Sequence, residues 1–195
     1  MNDQQALQHF RDAGALLEGH FILTSGLRSP TYLQCAKVLM HPERAAALCG
    51  ALAGRITAEL GAGAIDLVVS PAMGGVVVGY EMGRQLSCPA IFTERVDGVF
   101  ELRRGFEIPT RARVLMAEDI VTTGLSSREC IACIRELGGD VVAASCLIDR
   151  SDGKVEVGVP LFALVGMVVP AYEADKLPPE LAAIPAIKPG SRSLI

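Results

Sequence analysis

Tryptophan is absent from the 195-residue sequence, and only 5% of the residues are aromatic. Proteins that grip single-stranded nucleic acid stack bases on aromatic platforms. That class is disfavoured from the start. Positive charge is also short: 18 Lys and Arg face 22 Asp and Glu, for a net charge of −4. No general basic surface invites nucleic acid or an anionic membrane. Local arginines can still hold a small anion. The longest apolar runs, such as Phe162 to Pro170, fall far short of a membrane span. The opening Met1-Asn2-Asp3-Gln4-Gln5 lacks the basic and apolar regions of a signal peptide. The expectation is a soluble, cytoplasmic protein with neither nucleic acid nor membrane as partner.

Disulfide and zinc frameworks are also poorly supported. Six cysteines are present, and Cys130 and Cys133 form a CxxC, but no second Cys pair or HxxxH accompanies them. A chain of this length with ample core residues does not need disulfides. The simpler expectation is small buried thiols on a helix. Internal repeats and low-complexity tracts are lacking, and so is the GxxxxGK[ST] loop of nucleotide triphosphatases.

What is present is core-forming material. Half of the residues are hydrophobic, rich in Ala, Val and Leu, as suits helices packed on a parallel sheet. Apolar spacing predicts a helix from Asp3 to Leu17. Gly19 to Gln34 reads as a hairpin turning at Gly26 to Pro30. Pro42 opens a long helix that runs to Leu60. From there strands and helices alternate. The strands are Asp66–Ser70, Ala90–Thr93, Val114–Ala117, Val141–Ile148 and Phe162–Val169. Helices follow Gly75 and span Ser126–Leu137, and Val96 to Arg113 reads as a charged loop. Strands that are apolar throughout imply a parallel sheet covered on both faces. The expectation is one α/β domain over residues 1–195. Residues 1–40 mainly form a small N-terminal lobe, 41–170 a core, and 171–195, rich in proline, a tail over the surface.

Ligands of an open parallel sheet bind beyond the carboxyl ends of its strands. Three segments there carry chemistry. In the first, Glu118 and Asp119 follow an apolar strand, and Thr122-Thr123-Gly124-Leu125-Ser126-Ser127 leads into a helix. Small hydroxyl residues, a glycine and a helix N-terminus let the backbone close around a phosphate. The acidic pair repels a phosphate but suits sugar hydroxyls. Together they specify a phosphorylated sugar. An ordinary N-cap would explain one hydroxyl, not four beside two carboxylates. The second segment, Ser70-Pro71-Ala72-Met73-Gly74-Gly75, is a turn where an anion can approach backbone closely. The third, Phe92 to Gly105, offers Arg95, Arg103 and Arg104 to a departing polyphosphate. A mobile loop here would also shield an activated sugar from water.

The first segment, from Val114 to Ser127, resembles the phosphoribosyl pyrophosphate motif of type I phosphoribosyltransferases. The resemblance implies that family's fold, a mostly parallel sheet flanked by helices with a small hood. It places Glu118 and Asp119 along the ribose hydroxyls and Ile120, Val121, Thr122, Thr123, Gly124, Leu125 and Ser126 around the donor and its 5-phosphate. The turn at Gly74 and Gly75 resembles the pyrophosphate loop. Two further features are similar to the orotate-using branch: the hood segment Gly19 to Gln34, and Asp149-Arg150 at the end of a strand. Arg150, with Thr122, would orient orotate, whose carboxylate suits an arginine. The likeness covers roughly residues 10 to 170. It implies transfer of the 5-phosphoribosyl group from 5-phosphoribosyl 1-pyrophosphate to orotate, giving orotidine 5′-phosphate and pyrophosphate for pyrimidine biosynthesis. It also implies Mg²⁺ carried mainly by substrate and water, Arg103 or Arg104 supporting the leaving group, and a homodimer. A purine or other base as acceptor, or a non-catalytic regulator of the same fold, are the alternatives. Several positions depart from many orotate enzymes: Thr24 stands for Lys, Met73-Gly74 for Tyr-Lys, and Glu118 for Asp. The mobile loop offers Arg103 and Arg104 where those enzymes carry Lys and His.

Overall fold

A computed structural model describes residues 1–23 and 25–189. Thr24 of the hood and residues 190–195 of the tail lie outside the described residues. Helix α1 (Asp3–Asp12) is capped by Asn2, whose side chain accepts from the Gln5 amide while Gln5 reaches back to the Asn2 amide. It ends five residues earlier than its apolar spacing predicts. Gly14 takes a positive φ of 61°, with Ala15 N–H bonded to Phe10 O and Gly14 N–H to Arg11 O. This is the Schellman stop that a glycine favours, and it frees Leu16 and Leu17 for a strand.

Strands β1 (Leu16–Ile22) and β2 (Arg28–Leu33) form the expected antiparallel hairpin. A short helix, α2 (Cys35–Leu39), follows; five residues are too few to display a period. Helix α3 (Pro42–Leu60) starts at the proline and stops at Gly61, as its sequence implies. The remaining elements are β3 (Leu67–Pro71), α4 (Gly75–Leu86), β4 (Ala90–Val96), β5 (Val99–Leu102), β6 (Arg113–Val121), α5 (Leu125–Glu136), β7 (Asp140–Asp149), β8 (Leu161–Gly166) and α6 (Pro179–Ala182).

The six-stranded sheet has the order β5-β4-β3-β6-β7-β8, parallel except for β5. Strand β5 corrects the reading of residues 96–113 as loop throughout. Asp97 and Gly98 both adopt positive φ, 50° and 89°, the turn that closes a two-residue hairpin. Charged residues on both strands hid the pairing. Strand β6 is also longer than its apolar stretch. Pairing with β7 continues through Glu118↔Cys146, Ile120↔Ile148 and Val121↔Asp149. The acidic pair therefore sits on a paired strand and not beyond its end.

The sheet is covered on both faces. Leu115 and Ala117 pack with α3 and α4 residues such as Leu48, Leu52, Val78 and Met82. Val114 and Met116 pack with Ile131 and Ile134 of α5. Alternate residues of one strand thus serve two cores, which is why Val114 to Ala117 is apolar at every position. Cys130 and Cys133 lie on the buried side of α5 as free thiols. No helix among the described residues is long and apolar enough to cross a membrane.

The tail laces the hood in place. Arg28 exchanges backbone hydrogen bonds with Tyr172, and Ile187 bonds to His20 O and Ile22 N. His20 is buried and its Nδ1 lies 2.9 Å from the Ile184 carbonyl.

Candidate active site

The site is built where β3, β4, β6 and β7 end. Glu118 and Asp119 project from β6, half-buried. Burial is the main cause that raises the Glu118 carboxyl to about 7; the Ser127 hydroxyl opposes this, Asp119 adds to it and Arg95 opposes it. Burial also raises Asp119, against the Ile120 amide that donates to its Oδ1 at 2.9 Å. Both acids are thus held in surroundings that disfavour their charge. Such a group invites polar partners from a ligand.

A stability consequence follows from the raised pKa. Glu118 contributes most below its ordinary value of 4.5, and the contribution is lost as pH rises through about 7. Glu118→Gln is expected to raise Tm by about 5 °C at pH 8 and by almost nothing at pH 4. Turnover should fall about tenfold at pH 8. Scanning calorimetry at the two pH values checks the sign. A lower Tm at pH 8 would refute it.

The loop after β6 has the form of an anion cradle. Gly124 occupies the N-cap of α5 with φ +70°, and no side chain caps the helix. The helix ladder begins with Arg128 N–H to Gly124 O at 2.9 Å. The amides ahead of it are the ones a helix leaves unpaired. Thr122 and Thr123 are exposed and Ser126 half-buried, so three hydroxyls remain free for a ligand. Ser127 is different from the reading of four phosphate hydroxyls. It is 1% exposed and donates to Glu118 Oε2.

The glycine turn packs directly on the acids. A Cβ on Gly74 would lie 2.9 Å from Asp119 Oδ1, and one on Gly75 would lie 3.0 Å from the Ala117 carbonyl. The sequence signalled close approach here but not that Asp119 was the neighbour. Gly74 has ordinary helical dihedrals, φ −57° and ψ −42°, so alanine strains nothing but this contact. Gly74→Ala is expected to displace Asp119 and to lower kcat/KM for the sugar donor by about tenfold, read by steady-state kinetics. An unchanged value would mean that the acid's position is not critical.

The three candidate arginines fare differently. Arg95 bonds the Gly98 carbonyl and the Glu129 carboxylate, with its guanidinium 4.1 Å from the Phe100 ring centre. Arg104 makes a two-pronged pair with Glu94 at 2.8 and 2.9 Å, over Phe92. Arg103 is exposed and has no hydrogen bond or ion pair among the described residues. To reach a leaving group, Arg95 and Arg104 must exchange partners; Arg103 need not.

Arg150 follows the last residue of β7. Its amide bonds Val121 O at 2.8 Å, which fixes it beside the start of the phosphate loop. Burial lowers its guanidinium pKa, and its buried Nε has no partner among the described residues. A buried, unpaired cation is costly unless an anion joins it. Arg28 of β2 likewise has a buried Nη1 without a partner; nothing in its spacing marked it. No cluster of three potential metal ligands occurs among the described residues.

Parallel strands ending in a phosphate cradle beside two acids are the features of a phosphoribosyl transferase domain, and the model of that family matches residues 37–160. The orotate phosphoribosyltransferase of Rhizorhabdus wittichii is 58% identical over 195 residues, covering 100% of this chain and 99% of its own. Orotate phosphoribosyltransferase 2 of Mesorhizobium japonicum is 61% identical over 194 residues, covering 100% of both. A crystal structure of orotate phosphoribosyltransferase from Aeropyrum pernix superposes with a TM-score of 0.65 at 26% identity. It covers 83% of this chain and 93% of its own. The chain belongs to the phosphoribosyltransferase family, among its orotate phosphoribosyltransferases.

Proposed function

We propose that the protein transfers the 5-phosphoribosyl group from 5-phosphoribosyl 1-pyrophosphate to orotate in pyrimidine biosynthesis. The observation that carries the acceptor is Arg150, a half-buried guanidinium with an unpaired Nε beside the phosphate loop. Orotate brings a carboxylate to that position, and adenine or hypoxanthine does not. Thr122 lies exposed at the same edge and shares the orienting role.

An orotate ring N–H gives up its proton to solvent as the nitrogen bonds the anomeric carbon and the bond to pyrophosphate breaks. Cationic character builds on the sugar ring as this happens. Catalysis comes mainly from position and charge. Residues 120–126 hold the 5-phosphate end. Glu118 and Asp119 accept from the ribose hydroxyls, and the Gly74-Gly75 turn receives the pyrophosphate. Arg103 or Arg104, with Arg95, meets the charge that develops on the leaving group. Mg²⁺ brought with the donor would neutralise charge on the pyrophosphate, and Glu118 and Asp119 are the carboxylates that would hold it through water. The cytoplasm is the compartment where this substrate pair fits.

A homodimer accompanies this reading. Helix α4 presents Val77 and Tyr80 to solvent, with Met73 one turn ahead, at 45, 70 and 84% exposure. Val77 and Tyr80 share one helical face, and a second copy of this face is its proposed cover. Val77→Glu is expected to convert a dimer to monomers by light scattering. An unchanged mass would remove the face from the interface.

The central experiment is the loss of orotate absorbance on adding 5-phosphoribosyl 1-pyrophosphate and Mg²⁺, run beside a panel of purine bases. Turnover of a purine in place of orotate would reverse the acceptor assignment. Donor binding without turnover of any base would make the protein a regulator.

A further inference from the structure

We infer that Ser127 is a positioning residue for the transfer reaction, orienting the Glu118 carboxylate toward the sugar while closing the base of the phosphate loop. The inference deepens the reading above and rests on its donor site.

Ser127 is 1% exposed, so its hydroxyl can reach neither solvent nor a phosphate lying on the loop. Its proton goes to Glu118 Oε2 at 2.5 Å. This contact joins β6 to α5 across the eight intervening residues, which contain the whole phosphate cradle. The acid that faces the ribose and the loop that faces the phosphate therefore share one anchor.

The anchor is needed because the acid is glutamate. Its additional rotatable bond must be frozen if a carboxylate oxygen is to meet a hydroxyl reproducibly. With Oε2 held by Ser127, Oε1 is left for the ligand. Ser127 does not cap the helix, whose N-cap Gly124 receives no side-chain bond. Its hydroxyl therefore has no competing duty in the helix.

The surroundings give a measurable signature. The charged and titratable groups facing Glu118 are Asp119 beside it, Arg95 of β4, Cys130 of α5 and Cys146 of β7. Ser127 is the largest influence favouring the ionised form, and burial opposes it. Loss of the hydroxyl should raise the pH at which Glu118 ionises.

The test compares wild type with Ser127→Ala and Ser127→Thr. Calorimetry with 5-phosphoribosyl 1-pyrophosphate and Mg²⁺, without any base, gives donor affinity. The pH profile of kcat/KM for the donor gives the acid limb, expected near pH 7 in the wild type. Ser127→Ala should weaken donor binding about tenfold and move the limb upward by about one pH unit. Ser127→Thr, which keeps the hydroxyl, should restore both. Wild-type affinity and an unmoved limb in Ser127→Ala overturn the inference. Should the alanine variant fail to fold, Ser127→Cys, a much weaker donor of similar size, is read in the same way. A Glu118→Gln, Ser127→Ala cycle on donor affinity adds a second criterion: coupling supports the anchor, and simple additivity overturns it. A wild type that binds no donor would sink both this inference and the proposed function. A wild type that binds donor but ignores orotate would remove only the acceptor.

Discussion

Arg150→Ala is expected to lower kcat/KM for orotate about 10³-fold while leaving donor affinity within about twofold. The guanidinium is held half-buried, and its burial lowers its pKa. The Nε has no partner among the described residues, so the positive charge is an unspent resource until an anion arrives. Bringing a carboxylate to it forms a charge-assisted pair in a dry setting, where such pairs are strongest. Truncation leaves the orotate carboxylate desolvated and unpaired, which is the costly outcome. Arg150→Lys should recover part of the activity, because an ammonium lacks the planar fork. Steady-state kinetics with orotate varied, together with calorimetry of the donor, separates the two sites. Full activity of Arg150→Ala would refute the acceptor assignment at its root.

Gly124→Ala is expected to weaken donor binding about 10²-fold and to lower Tm by about 4–8 °C. Two independent effects act there. The backbone has φ +70°, a region that costs a residue with Cβ about 1–2 kcal/mol. The added carbon would also lie 2.6 Å from Val155 Cγ1 and 3.1 Å from Val157 Cγ1. These valines belong to the segment between β7 and β8, which Arg128 ties to the loop through the Thr123 and Glu156 carbonyls. The loop cannot retreat without disturbing both. A thermal-shift titration with donor reads stability and affinity together. A variant with wild-type donor affinity would mean that the loop does not hold the phosphate.

The pH response of Glu118 and the contact at Gly74 point to one design. Glu118 and Asp119 are kept where their charge is disfavoured, and Gly74 leaves the space that Asp119 occupies. Stability is given up locally so that a polar ligand can complete the site. Ser127 limits that loss by donating to Glu118.

Much of this was legible in local order. Unbroken apolar stretches within β3, β6 and β7 imply a sheet buried on both faces, because a one-sided strand would alternate. Pro42 and Gly61 bracket α3 by dihedral preference alone. The strand-to-helix turn at Thr122 to Ser126 could be read because small hydroxyl residues and a glycine cluster at such junctions. Other features depend on partners distant in sequence. Strand β5 was hidden because it is only four residues long and lies among charged residues, although Asp97-Gly98 marked the turn. Strand β6 extends through the acids only because β7 is long enough to pair with them. Arg95 and Arg104 read as free cations until Glu129 and Glu94 were placed beside them.

The strand, the acidic pair at its end and the hydroxyl-rich turn into α5 were legible in sequence alone, since they rest on residue types a few positions apart. Tertiary structure decided which group each polar side chain serves. Ser127 looks like a fourth phosphate hydroxyl in the sequence. Packing of α5 on β6 buries it and turns its proton to Glu118, because a buried donor must bond to whatever acceptor the fold brings within reach.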